Sequence, residues 1–123
     1  MNSQTLLVLG NHANRNLVQT LSREGFVPQV WGSMRHSLAK LRHETFAAVI
    51  IDRLFTHADV LEFILNVRDI NPEIPIVVIG PGSDDQIDAK IKSQNRTIIL
   101  NGSEMGDTLA EKLAHALKVN ENV

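Results

Sequence analysis

The stretch Phe46-Ala47-Ala48-Val49-Ile50-Ile51-Asp52 is apolar without alternating, and then ends in a carboxylate. A strand with one wet face would alternate apolar and polar residues. A continuous run of this length reads as a strand covered on both faces, as in a parallel sheet. Five runs of this kind are spaced along the chain: Leu6–Leu9, Val27–Trp31, Ala47–Ile51, Ile74–Ile79 and Thr97–Leu100. Only Val27–Trp31 alternates, which suits a more exposed or edge strand.

Helical patterns lie between the runs. Leu17, Val18 and Leu21 form one stripe, and Gly25 follows where a helix would stop. Ser33 or Ser37 can cap the next, whose stripe holds Met34, Leu38 and Leu41. A third helix is expected over Ala58–Asp69, with Leu61, Ile64, Leu65 and Arg68 at helical spacing. The fourth is short and polar: Ser83 is expected to cap it, followed by Asp84 and Asp85, with Ile87 and Ile91 buried. The last carries Met105, Leu109, Leu113 and Leu117, with Glu104 and Asp107 in its first turn and Lys118 in its last, as the helix dipole favours. Five β–α units imply an α/β fold: a doubly wound five-stranded parallel sheet, order 2-1-3-4-5, with helices on both faces. Residues 1–123 read as a single domain whose last residues, 119–123, are expected to fray.

Composition narrows the function. The 123 residues include 43% apolar and 21% charged side chains, which fits a folded domain and excludes disorder as the main state. Twelve basic and 14 acidic residues leave a formal charge of −2, so there is no basic footprint for nucleic acid or for an anionic membrane. Without cysteine there is no disulfide, thiolate nucleophile or Cys-based metal site. The start lacks a secretory signal and no run is long enough to span a membrane, so a cytoplasmic location is expected.

In an open α/β sheet, ligands bind beyond the carboxyl ends of the strands, where the strand order reverses. The residues expected there are Gly10, Asn11 and His12 after the first strand, Asp52 and Arg53 after the third, Gly80 after the fourth, and Asn101 and Gly102 after the fifth. Asp52 is the one carboxylate directly at a strand end.

The third-strand stretch ending in Asp52 resembles that of a two-component response-regulator receiver domain (CheY-like, flavodoxin-like fold), whose phosphoacceptor is that Asp. Asp59 with Leu61-Glu62-Phe63-Ile64 is similar to the family's Asp-Gly-Leu-Glu-Leu-Leu helix start, with Val60 in place of Gly. Arg68 falls where the family's third helix often has Arg. Pro75-Ile76-Val77-Val78-Ile79 resembles its fourth strand, and Gly25-Phe26 the pair before its second. The likeness runs from Leu6 to about Lys118. It implies a signalling domain with Asp52 at the phosphoacceptor position.

The remaining chemical positions depart from the family. Its pair of acids after the first strand, which hold Mg²⁺, corresponds to Gly10-Asn11 or Asn11-His12, and no Asp or Glu occurs before Glu24. Gly80 replaces the Ser or Thr ending the fourth strand, Asn101-Gly102 the Lys-Pro ending the fifth, and Ile98 the aromatic switch residue. The Met-Pro turn is Leu54-Phe55-Thr56-His57. Phosphoryl transfer is mainly positioning and charge neutralisation. Losing one preorganised stabiliser costs about 2.7–4 kcal/mol, and here metal, Lys and hydroxyl are all missing. The expectation is a degenerate pseudo-receiver without Mg²⁺ or another cofactor, acting by protein–protein contact. The alternatives are a phosphorelay receiver phosphorylated on Asp52, or a small flavodoxin-like ligand-binding module.

Other motifs fare worse. Gly80-Pro81-Gly82-Ser83 could cradle a phosphate, but Pro81 brings no N–H and Asp84-Asp85 would repel an anion. His12 and His57 near Asp52 lack the spacing of a metal site, and no nucleophile–base pair can be named, so no enzymatic activity is expected. Arg15 could reach Asp52; solvated positions are slightly favoured for Arg15 and Arg53, and an ordinary polar-face position for Arg68. The fourth helix, fifth strand and fifth helix together are expected to form the face for a partner or a second copy. Asp84, Asp85, Asp88, Lys90 and Lys92 lie on the first of these, and Glu104, Glu111, Lys112 and His115 on the last.

Overall fold

Five strands form one parallel sheet in the order β2-β1-β3-β4-β5: β1 (Thr5–Leu9), β2 (Val27–Trp31), β3 (Ala48–Asp52), β4 (Ile76–Ile79) and β5 (Thr97–Leu100). The computed structural model describes residues 4–11, 15–53, 59–82 and 84–100, with Lys112, His115 and Leu117. The crossovers are α1 (Arg15–Arg23), α2 (Met34–His43), α3 (Val60–Ile70) and α4 (Asp85–Lys92). Among the described residues, no helix is long and apolar enough to cross a membrane.

The expected strand order is the observed one. Its cause is visible in the burial: every residue of β3 and β4 is buried, as are Leu6 to Leu9 of β1. Alternate residues feed two cores. Leu6, Val8, Ala48, Ile50, Val77 and Ile79 pack with Leu17 and Leu21 of α1 and with Leu117. Leu7, Leu9, Val49, Ile51, Ile76 and Val78 pack with Leu41 of α2, Phe63, Ile64 and Val67 of α3, and Ile91 of α4. β2 is an edge strand with no fully buried residue, in keeping with its alternating sequence.

Local signals set the helix ends. Gly25 has φ +90 and donates its N–H to the Ser22 carbonyl, while Phe26 donates to Leu21, closing α1. Ser33, not Ser37, caps α2 by accepting from His36 N–H; Ser37 is buried and its hydroxyl donates to the Ser33 carbonyl. Asp59 caps α3 through the Glu62 N–H, so this helix begins at Val60 and not at Ala58, which lies outside the described residues. Asp84 caps α4, accepting from the amides of Gln86 and Ile87; Ser83, the expected cap, lies outside the described residues. Ile87 is 42% exposed and not buried as expected, and Leu65 of the third stripe is 47% exposed.

That leaves Ile91 as the single buried residue of α4 among those described. One buried isoleucine contributes roughly 1.5–3 kcal/mol, and an isolated helix this short is unstable in water. α4 therefore depends on other ties. The fifth expected helix lies outside the described residues except for Lys112 and His115, helical and exposed, and Leu117, helical and buried.

Arg68 is not the ordinary polar-face residue expected. Its guanidinium donates to the carbonyls of Asn71 (3.2 Å), Ile74 (2.8 Å) and Asn95, and to Thr97 Oγ1 (3.2 Å). It joins the end of α3 to the starts of β4 and β5. Burial pushes its pKa below the ordinary arginine value, with Glu73 opposing and Arg96 adding to the shift. Asn95 Nδ2 donates to the Pro72 carbonyl, and Arg96, at φ +50, donates to the Glu73 carbonyl, completing this end of the sheet. Replacing Arg68 by Met removes the donors and leaves part-buried carbonyls unpaired. Arg68→Met is expected to lower stability by about 3 kcal/mol, read as a reduced urea midpoint with an unchanged slope.

Candidate functional site

The opposite end of the sheet, beyond the strand carboxyl ends, holds the residues singled out from the sequence. Asp52 is the last residue of β3 and not the first of a loop, and it has no exposed surface. In the parallel register Leu9 pairs with Ile51, and Asp52 with Ile79. Gly10, one residue past β1, is therefore level with Asp52. A Cβ on Gly10 would lie only 3.1 Å from Asp52 Cβ, so any side chain there would crowd the carboxylate. Gly10 is further held by its N–H, which donates to the Trp31 carbonyl of β2 (3.0 Å).

Asn11 follows Gly10 and is exposed. Gly80 follows β4 with φ +110 and donates its N–H to the Leu100 carbonyl at the end of β5 (2.9 Å). The structure thus brings Gly10, Asp52 and Gly80 to adjacent strand ends. His12, His57, Asn101 and Gly102 lie outside the described residues. Arg15 is exposed at the first turn of α1. Ile98, at the position of the aromatic switch residue, is 38% exposed on β5.

Arg53 departs from its expected solvated position. Its side chain is 10% exposed, and its Nη2 meets Asp88 Oδ1 of α4 at 2.6 Å while Nη1 meets Oδ2 at 3.3 Å. Nη1 also reaches the Gly80 carbonyl (3.4 Å). The pair lies close to Gly82, where a Cβ would run into Arg53 Nη1 and the Asp88 carboxylate and oblige one of these side-chain ends to shift. The sequence held one signal for this. Strand alternation puts Arg53 with Val49 and Ile51, on the face that α4 covers. It held none for Asp88 as the partner, 35 residues further on.

The chemistry available here is narrow. At the α4 N-terminus Asp84 already accepts from the amides of Gln86 and Ile87, and its charge with that of Asp85 would repel an anion. Among the described residues no three His, Asp or Glu side chains gather in a way that could hold a metal ion. Near the edge strand, Lys40 Nζ lies over the Trp31 ring, 5.4 Å from its centroid, and pairs with Glu44. The Lys40 hydrogen bond holds the Glu44 carboxyl below its usual range.

Neither protein-family profiles nor curated proteins give a match to this sequence. Solved structures match along almost the whole chain. A CheY-like receiver domain protein from Methanospirillum hungatei JF-1 superposes with a TM-score of 0.75 at 17% identity, over 99% of this chain and 98% of that one. The beryllofluoride-activated NtrC4 receiver domain dimer gives 0.80 at 18%, over 95% and 98%. The receiver domain of the sensor histidine kinase PA1611 from Pseudomonas aeruginosa PAO1, with magnesium coordinated in its active-site cleft, gives 0.77 at 12%, over 99% and 100%. The strand order, the two-faced core and the carboxylate ending the central strand all agree with that likeness: the chain has the fold of the CheY-like response-regulator receiver domains.

Proposed function

We propose that this chain is a receiver-like signalling domain that acts by protein contact and not through phosphorylation of Asp52. The observation that carries this reading is Gly10 level with a fully buried Asp52. A Mg²⁺ ion needs hard oxygen ligands in near-octahedral array, usually including carboxylates. Gly10 supplies no side-chain ligand, Asn11 beside it is neutral, and no acid precedes Glu24. The residues present do not fit the metal. Gly80 brings no hydroxyl, and Asn101 brings no cation to pair with a phosphoryl group. A phosphodonor must also reach a carboxylate oxygen, and Asp52 presents no surface to it. The acids, the hydroxyl and the Lys that would position a phosphoryl group and neutralise its charge thus have no counterpart in this sequence.

The surface for a partner is best placed on α4, β5 and the helical segment of Lys112 and His115. Four large apolar side chains among the described residues are exposed, and two of them, Ile87 and Ile98, lie on α4 and on the neighbouring β5. On α4, Lys90, Lys92 and Asp85 are exposed as well, as is the cap residue Asp84, so this helix presents an apolar side chain among mixed charges. The NtrC4 receiver, similar in fold, is a dimer.

Two outcomes follow. Incubation with acetyl phosphate and millimolar Mg²⁺ is expected to leave the intact mass and the melting temperature unchanged, since an ion binding only the native state would raise the latter. A stoichiometric phosphoryl gain that is lost in Asp52→Asn overturns the pseudo-receiver reading. In sedimentation equilibrium, Lys90→Glu or Lys112→Glu is expected to weaken self-association, while His43→Ala on α2 leaves it unchanged. If the wild type stays monomeric at high concentration and no partner responds to these charges, this face is wrongly assigned.

A further inference from the structure

The end of β3 sends its two polar residues to opposite faces. Asp52 continues the row of Ala48 and Ile50 toward α1, and Arg53 continues the row of Val49 and Ile51 toward α4. Whatever happens at Asp52, the neighbouring residue grips α4 through a two-point ion pair with Asp88. That helix has eight residues, one buried side chain and an exposed Ile87, so its hold on the sheet is weak elsewhere. Gly82, in the loop between β4 and α4, lies in contact with both charged groups and leaves them the space they occupy.

We propose that the Arg53–Asp88 pair, with Gly82 beside it, is a latch that sets the position of α4 against the sheet. Closed, it holds α4 beside β5 without any contribution from Asp52 chemistry. Open, it frees α4 to unfold locally and changes the surface that α4 presents with its exposed Ile87. The functional consequence rests on the reading of that surface as a docking face. The latch itself does not, and it is decided on the unmodified protein.

Hydrogen exchange in solution tests it. Arg53→Met and Gly82→Ala both lie off α4, so neither alters the helix's own propensity. Gly82→Ala keeps both charges and presses a methyl group against both ends of the pair, at a residue whose backbone is not left-handed. Each is expected to speed exchange at the amides of Ala89 to Lys92 roughly tenfold or more, as loss of a charge-assisted pair implies. The double variant should add little to either single one. Exchange at Ile64 and Val67 of α3 should stay as in the wild type. Unchanged α4 exchange in Arg53→Met, additive effects in the double variant, or an equal acceleration in α3 would each overturn the latch. Should Arg53→Met fail to fold, Arg53→Lys, which keeps the charge but cannot make the two-point contact, decides in its place. Phosphorylation of Asp52, if found, would overturn the function proposed above and leave this measurement standing.

Discussion

Parallel neighbours cannot be joined by a tight turn, so each step from strand to strand must carry a helix across a face of the sheet. Four such crossings connect the five strands here, with α1 on one face and α2, α3 and α4 on the other. Everything else follows from covering both faces. The central strands have no wet side, so their residues are apolar on both sides, and polar chemistry is confined to the strand ends. Asp52 and Arg53 are where they are because β3 has run out of core.

Each end of the sheet is then tied by an arginine. At the amino ends Arg68 draws together three backbone carbonyls and a hydroxyl; at the carboxyl ends Arg53 reaches from β3 to α4. The two ties differ in kind. Arg68 satisfies backbone groups that any variant of the fold would leave short of donors, which makes it part of the frame. Arg53 binds a single side chain on the most lightly packed helix, and a bond to one carboxylate can be broken without exposing the core.

The strands and their order were legible because a doubly covered strand leaves an unmistakable apolar run. The edge character of β2 was legible from its alternation. Helix boundaries were less so where two residues could each cap: Ser33 beat Ser37, since an N-cap is chosen by which side chain meets an amide two or three residues on. Ile87 was misplaced because spacing of four from Ile91 says only that the two share a side, not that the helix sits deep enough to bury both. The two arginines were hardest. A guanidinium on a long stem reads the same whether it ends in water or on a carbonyl many residues away. The lack of acids after β1 was plain in the sequence; how tightly Gly10 abuts Asp52 required the register of the two strands.

Trp31 acquires a use from its place in this arrangement. It is the chain's single tryptophan, and there is no tyrosine. Its carbonyl accepts from Gly10, the residue abutting Asp52, while its ring lies under Lys40 and its indole N–H is buried without a hydrogen-bond partner. Ultraviolet emission from the protein therefore comes from one fluorophore, one hydrogen bond away from the strand ends where the fold gathers its polar residues. A native label stands beside the carboxyl ends of β1 and β3, and no dye need be attached to watch that corner respond.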